Sequence, residues 1–199
     1  MDNERKNRSL VHSEEFDRRS TELVYHAQEE YDAIVCVDVP TLTRDNIERY
    51  LVDVAREAGW QGVESIDVQF DIPDDSNSGG ACTGNLGSGE MVLHFHPRLL
   101  RAEIALHELA HYLRPNDGHG PQFCAVLIGL HRFGIGISSA IELASAFVDV
   151  GLDICPDWLE GFGVIDLYGE HGPRADSSVT GAFMDPSPIC ARYQPANSL

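Results

Sequence analysis

The sequence is poor in basic residues, and this scarcity argues against one broad class of partner. Of its 199 residues, 14 are Lys or Arg and 32 are Asp or Glu, which gives a formal net charge of -18. Proteins that bind DNA or RNA rely on basic surfaces that neutralise backbone phosphates. We therefore expect no direct nucleic-acid binding, and we interpret the acidic surface as a source of solubility.

A long apolar segment is also missing. The most apolar stretch, Phe123–Val150, is interrupted by His131, Arg132 and Glu142. It contains no run of about 18 apolar residues, the length that spans a bilayer. The segment Met1–Leu10 is polar and has no apolar core of the kind found in secretory signals. We predict a protein without a membrane-spanning segment.

Cysteine pairs with the spacing of a metal site do not occur. The five cysteines are scattered, and none forms a C-x-x-C pair. They are Cys36, Cys82, Cys124, Cys155 and Cys190. This pattern excludes a cysteine zinc ribbon, and the odd number is typical of reduced thiols. We therefore predict a cytoplasmic protein.

Composition divides the chain into three parts. Residues 1–14 are polar and predict a flexible N-terminus. Residues 15–151 carry the apolar periodicities of one folded domain, which we interpret as a metallohydrolase domain from the motifs described below. Residues 152–199 are punctuated by Gly and Pro without sustained periodicity, so we predict an irregular C-terminal tail.

Helices and strands alternate in the predicted domain. Apolar and alternating runs predict strands at Ala33–Val37, Ser65–Phe70 and Met91–Phe95. Helical periodicity predicts helices over Glu15–Tyr31, from Thr43 as N-cap to a stop at Gly59, over Arg98–Leu113, over Pro121–Phe133, and from Ser138 or Ser139 as N-cap to about Val150. The two Gly-containing segments between the second and third strands predict loops.

The motif with the most chemical content is His107-Glu108-Leu109-Ala110-His111. Residues four positions apart lie on one face of a helix, so His107 and His111 can bind one metal ion. Glu108 would lie beside that ion, where a carboxylate can act as general base on a metal-activated water. The motif therefore predicts a zinc-dependent hydrolase.

A third metal ligand must come from elsewhere in the chain, because catalytic zinc usually takes three protein ligands and keeps one position for water. His119 is the best candidate, since the glycines on either side allow the chain to turn back toward the helix. Asp117 and Glu142 are carboxylate alternatives. His171 is a further alternative, because Gly and Pro follow it as they follow His119.

Two more histidines, His94 and His96, alternate with apolar residues along the predicted strand Met91–Phe95. They therefore project from its opposite face, where we expect exposure to solvent, with cleft lining as the alternative. This strand, or the segment Gly80–Asn85 before it, is expected to offer an edge to an extended peptide.

The motif His107–His111, followed by the segment His119-Gly120-Pro121-Gln122-Phe123, resembles the SprT-like zinc metallopeptidases. It is similar also to a small group of metallohydrolases built on the same core. The resemblance implies an α+β fold with a zincin-like core, in which a small mixed sheet accompanies the active-site helix and the helices that follow it. It also implies His107, His111 and His119 as ligands of Zn²⁺ and Glu108 as the catalytic acid and base.

Two features depart from that family. Many members carry a C-terminal zinc ribbon, which Cys155 and Cys190 cannot supply, and several act on DNA-linked proteins, which a charge of -18 does not favour. We therefore predict a zinc metallopeptidase that hydrolyses a peptide or protein substrate through a metal-activated water, with Glu108 as general base. The alternatives are a zinc hydrolase of a non-peptide amide and a catalytically inactive interaction module.

Overall fold

The computed structural model describes residues 18–32, 39–76, 79–85 and 90–162. These residues form helices α1 (18–32), α2 (Ile47–Glu57), α3 (Ala102–Leu113), α4 (Pro121–Gly134), α5 (Ile137–Asp149) and α6 (Pro156–Gly161), and strands β1 (Asp67–Gln69), β2 (Gly80–Asn85) and β3 (Glu90–Phe95). The fold is therefore mixed α+β, as the alternation of apolar patterns indicated.

The three strands form one small mixed sheet in the order β1-β3-β2. The central strand β3 runs parallel to β1 and antiparallel to β2, so that Leu93 lies opposite both Val68 and Cys82. Within the described residues, β2 forms one edge of this sheet. Helix α3 packs against β2 and β3, which places the helix that carries His107 and His111 beside the sheet edge.

Helix α4 occupies the middle of the helical layer, where it contacts α2, α3, α5 and α6. Ten of its fourteen residues are buried, and Phe123 and Leu127 have no exposed surface. The facing residues Leu106 and Leu109 of α3 are equally buried. Burial of each such side chain stabilises the fold by about 1.5 to 3 kcal/mol. This packing fixes how α3 is rotated about its axis, and hence which face carries its histidines.

The start of α2 differs from the prediction. The helix begins at Ile47 after Asn46, and Thr43 lies at the start of the preceding turn. Asn46 Oδ1 accepts a hydrogen bond from the backbone N–H of Thr43 at 2.7 Å, so its side chain turns back toward Thr43 and does not cap the helix. The carbonyl of Thr43 accepts from the N–H of Ile47 at 3.1 Å and closes the turn that leads into α2. The predicted stop is confirmed, because Gly59 follows the helix with φ at +100°, a conformation that favours glycine.

The start of α5 was also predicted wrongly. The helix follows Gly136, and the two candidate caps Ser138 and Ser139 lie inside it. Ser139 is fully buried, and its Oγ is hydrogen-bonded to Tyr31 Oη at 2.6 Å and to His131 Nδ1 at 2.9 Å. Its hydroxyl therefore joins α1, α4 and α5 in the core instead of capping a helix.

Strand β2 and helix α6 form where the sequence predicted loop and irregular tail. β2 is rich in glycine, and it becomes a strand because it pairs with β3 along its whole length, from Gly80 opposite Phe95 to Asn85 opposite Glu90. α6 packs on α4, and both Leu159 within α6 and Phe162 directly after it are buried.

Several other predictions concern residues outside the described ones: the flexible segment 1–14, the strand Ala33–Val37, and the tail beyond residue 162. The division into a domain at 15–151 and a tail at 152–199 stays a prediction. In the part of the chain that the structure describes, no helix is both long and apolar enough to cross a membrane. The cysteines at positions 82, 124 and 155 are free thiols.

Candidate metal centre

Three histidines from two neighbouring parts of the chain converge on one point. His107 and His111 lie one turn apart on α3, and His119 lies in the loop between α3 and α4. One ring nitrogen from each can be chosen so that all three lie within 4.8 Å of one another. The Nε2 atom of His107 is 3.2 Å from Nε2 of His111 and 3.3 Å from Nε2 of His119.

These separations fit a tetrahedral metal ion. Zinc binds histidine nitrogen at about 2.0 to 2.1 Å, so two ligands at the tetrahedral angle lie about 3.3 to 3.4 Å apart. The observed distances of 3.2 and 3.3 Å are close to this value. Three histidines also leave one tetrahedral position for water or substrate, as catalytic zinc requires.

Helix α1 orients two of these rings through hydrogen bonds on the side away from the cluster. His107 Nδ1 donates to Gln28 Oε1 at 3.0 Å, and His119 Nδ1 is hydrogen-bonded to Thr21 Oγ1 at 3.0 Å. A neutral ring that donates from Nδ1 carries a lone pair on Nε2. The bond to Gln28 therefore favours the His107 tautomer that presents Nε2 to a metal, and hydrogen-bond partners on Nδ1 are typical of metal-binding histidines.

Burial keeps His107 neutral. The ring is 4% exposed, and burial, followed by the proximity of His111 and His119, holds its pKa well below the usual range. Because His107 Nδ1 donates to Gln28, its Nε2 carries a lone pair, and this atom lies 3.3 Å from Nε2 of His119. A metal ion bound between the two rings would accept this lone pair.

The cluster lies between two aromatic rings. On the core side, the fully buried ring of Phe123 lies 5.1, 4.5 and 4.8 Å from the rings of His107, His111 and His119. On the solvent side, Tyr25 of α1 stacks on His107 at 5.5 Å with an interplanar angle of 18°. Tyr25 is 51% exposed, so it lies at the mouth of the site.

The loop that carries His119 is held by Asp117. Its backbone carbonyl accepts from Gly120 N–H at 2.8 Å, and its Oδ2 accepts from Phe123 N–H at 2.8 Å, in the first turn of α4. A Cβ at position 120 would lie 2.9 Å from Asp117, so this tight loop requires glycine there. Asp117 thus supports the third histidine and is not a member of the cluster.

The other alternative ligands lie elsewhere. Glu142 is exposed on α5 and is not part of the cluster among the described residues, and His171 lies outside those residues. The structure therefore brings together the three histidines that the sequence ranked first. Their role as metal ligands stays a prediction.

Glu108 lies beside the cluster in a buried position. It is 6% exposed, and burial raises its pKa to about 7. Strand β2 approaches it closely, because a Cβ on Gly80 would lie 2.7 Å from Glu108 Cγ. A carboxyl group with a pKa near neutrality can both accept and donate a proton at pH 7, which suits acid–base catalysis.

Two cavities flank Glu108, and we refer to the two together as the cleft. Both are lined by Tyr25, Gly80 and Glu108. The first, which we name the α1 cavity, has a volume of about 470 Å³ and continues past Tyr31, Asp32, Arg101, Glu103 and Ile104. The second, the strand cavity, has a volume of about 500 Å³ and continues along β2 past Ala81, Cys82, Met91 and His111.

His94 and His96 were expected to be exposed, and this expectation was wrong. His96 is 5% exposed, and its Nδ1 accepts from Arg98 N–H at 3.1 Å. His94 bonds to Asp71 at 2.8 Å and to Thr83 at 2.7 Å. The loop after β1 covers this face of the sheet, which the alternation of residues within one strand does not reveal. Neither histidine lines the α1 cavity or the strand cavity.

The residues of α1 that contact the cluster were not predicted from the sequence. Thr21, Tyr25 and Gln28 follow the spacing i, i+4, i+7, which places them on one face of a helix. That spacing is visible in the sequence, but nothing local connects it with histidines about 80 to 100 residues later.

Comparisons with protein-family models, with curated proteins and with solved structures gave no match to this chain. The resemblance to SprT-like metallopeptidases therefore rests on the quoted motifs alone.

Proposed function

We propose that this protein is a zinc-dependent metallopeptidase of the cytoplasm, with a zincin-like core. His107, His111 and His119 would hold Zn²⁺, and Glu108 would act as general base. The observation that carries the proposal is the convergence of three Nε2 atoms, with separations of 3.2 and 3.3 Å, on a point beside a buried carboxyl group. Such a set of neutral nitrogen donors suits zinc.

The metal and the protein side chains would contribute different parts of the reaction. A bound Zn²⁺ supplies Lewis acidity, which lowers the pKa of water toward about 7 and polarises a carbonyl group. Glu108 accepts the proton of the attacking water and delivers it to the leaving amine, for which a pKa of about 7 is suitable. Gln28 and Thr21 hold their partner rings in the orientation that the reaction needs.

The shape of the cleft favours a peptide over a small amide. Cavities of about 470 and 500 Å³ lie on the two sides of Glu108, so a substrate can extend in both directions from the reacting bond. β2 borders both cavities and is an edge strand among the described residues, which suits the pairing of an extended peptide. The thiol of Cys82 in the strand cavity is no competing nucleophile, because burial and then Glu108 raise its pKa to about 12.

A peptide library tests this proposal. We expect the zinc-loaded protein to cleave a subset of an unbiased library, detected by mass spectrometry, and the Glu108→Gln variant to bind zinc without cleaving. A zinc-bound wild type that cleaves no peptide would contradict the proposal. Hydrolysis of small N-acyl amides in the same preparation would then favour the non-peptide amidase.

A further inference from the structure

The lining of the α1 cavity is acidic. Among its lining residues, the carboxylates of Glu29, Asp32, Glu103 and Glu108 face one basic side chain, Arg101. Arg101 is engaged already, because its Nη1 lies 3.0 Å from Asp32 and its Nη2 lies 3.1 Å from Glu103 Oε1. The lining therefore keeps an excess of negative charge after its ion pairs are counted.

Glu103 is the unusual member of this group. Its residue surface is only 9% exposed, and its Oε2 atom is buried without a hydrogen-bond partner among the described residues. The nearby hydroxyl of Tyr31 does not supply one, since it is hydrogen-bonded to Ser139 at 2.6 Å. Buried carboxylate oxygens nearly always have a donor, so this atom indicates a place where a donor from a ligand belongs.

Glu103 is also well placed relative to the proposed reaction. It precedes His107 by one helical turn, so the two side chains lie on the same face of α3. Ile104 and Tyr31 also line the cavity. A cavity lined by both apolar side chains and carboxylates is complementary to the side chain of lysine or arginine, which has an aliphatic stem and a cationic head.

We propose that the α1 cavity binds a lysine or arginine side chain of the substrate next to the scissile bond, with Glu103 as the specificity-determining residue. This inference rests on the proposed function. The formal charge of -18 agrees with it, because a strongly acidic protein attracts cationic peptides. Acidic peptides would be excluded from the cavity by the same charges.

The test uses two metal-binding probes that differ only at the head group. Nα-acetyl-lysine hydroxamate and Nα-acetyl-norleucine hydroxamate would be titrated calorimetrically into the zinc-loaded protein. We expect the lysine probe to bind about ten- to a hundredfold more tightly, as one charge-assisted hydrogen bond allows. Equal affinities, or a preference for norleucine, would overturn the inference without any variant being needed.

Two variants distinguish the effect of Glu103 on probe binding from the effect of the protein's net charge. Glu103→Gln should abolish the preference for lysine while zinc content stays unchanged. Glu30→Gln removes the same charge from the exposed face of α1, where Glu30 lies near His26, and should leave the preference intact. A preference that survives in Glu103→Gln, or falls equally in Glu30→Gln, would overturn the assignment of Glu103.

Cleavage assays distinguish this inference from the proposed function. Fluorogenic peptides with lysine, norleucine or glutamate beside the scissile bond should be cleaved in that order of kcat/KM. A lysine preference in hydroxamate binding without cleavage of any peptide would remove the peptidase but keep the basic-side-chain pocket. Cleavage of all three peptides with equal kcat/KM would support the peptidase and overturn the basic-side-chain pocket.

Discussion

The Nε2 atoms of His107 and His119 lie 3.3 Å apart, although His107 belongs to α3 and His119 to the loop that precedes α4. His107 Nδ1 donates to Gln28 Oε1, so its Nε2 carries a lone pair. The separation of the two Nε2 atoms fits one metal ion, and we propose that the two rings share it.

Replacing Glu108 should separate chemistry from metal binding. Glu108→Gln keeps the shape of the side chain but removes the base, so peptide hydrolysis should fall by about 10² to 10⁴-fold with one zinc per chain retained. The matched control is Glu142→Gln on the exposed face of α5, which should leave activity unchanged. Equal activity of Glu108→Gln and wild type would exclude Glu108 as the base.

The hydrogen bond from His107 to Gln28 should strengthen metal binding. Gln28→Ala removes the acceptor of Nδ1–H, and we expect zinc affinity to fall by about 10- to 100-fold in a competition titration with a chelator. Gln28→Glu retains an acceptor and should preserve the affinity. His26→Gln changes an exposed residue of the same helix and serves as control. Unchanged affinity in Gln28→Ala would show that α1 does not orient the ligand.

The close approach of β2 to α3 should matter for catalysis. A Cβ on Gly80 would lie 2.7 Å from Glu108 Cγ, so Gly80→Ala must displace either the strand or the carboxyl group. We expect kcat to fall at least tenfold with zinc content unchanged, since small displacements of catalytic groups are costly. Gly62→Ala is the control, because a Cβ there has no atom within 4 Å. Wild-type kcat in Gly80→Ala would contradict this geometry.

The residues of the site that could be predicted from the sequence are those whose proximity follows from their spacing along the chain. His107, Glu108 and His111 lie within five consecutive residues, so helical geometry alone places them together. His119 could be added because glycines flank it and allow a tight loop. The contacts of Thr21 and Gln28 could not be predicted, because they depend on how α1 packs on the domain.

Helices and strands with a strong apolar periodicity were predicted correctly. Features that depend on contacts with distant segments of the chain were not. Helix α4 begins at Pro121 as expected, because proline suits a first helical turn and the positions after it are apolar. The glycine-rich β2 was missed, since only its register with β3 makes it a strand. Ser139 was misplaced because its partners, Tyr31 and His131, lie on other helices.

Stability should depend on pH through His131. This residue is fully buried, and burial lowers its pKa to about 3. In the unfolded chain this histidine has a pKa of about 6.5, so below that pH it binds a proton that the buried ring in the folded protein does not bind. The free energy of unfolding should therefore fall as pH drops from about 6.5 toward 3, by up to about 1.4 kcal/mol per pH unit.

Urea unfolding at pH 7, 6 and 5, in the presence of a chelator, measures this dependence. His131→Gln has no titrating ring, so its unfolding free energy should decline less steeply with acidification than that of the wild type. His26→Gln, which alters an exposed histidine, should follow the wild-type slope. Parallel slopes for His131→Gln and wild type would rule out this contribution.

The most direct test of the account is the zinc content of the purified protein, measured by mass spectrometry of the metal beside a His119→Ala variant and the control His26→Ala. We predict about one zinc per chain in the wild type and the control, and a large loss in His119→Ala. Absence of zinc from the wild type after metal is supplied would contradict the proposed centre. Full retention in His119→Ala would show that another residue completes the site.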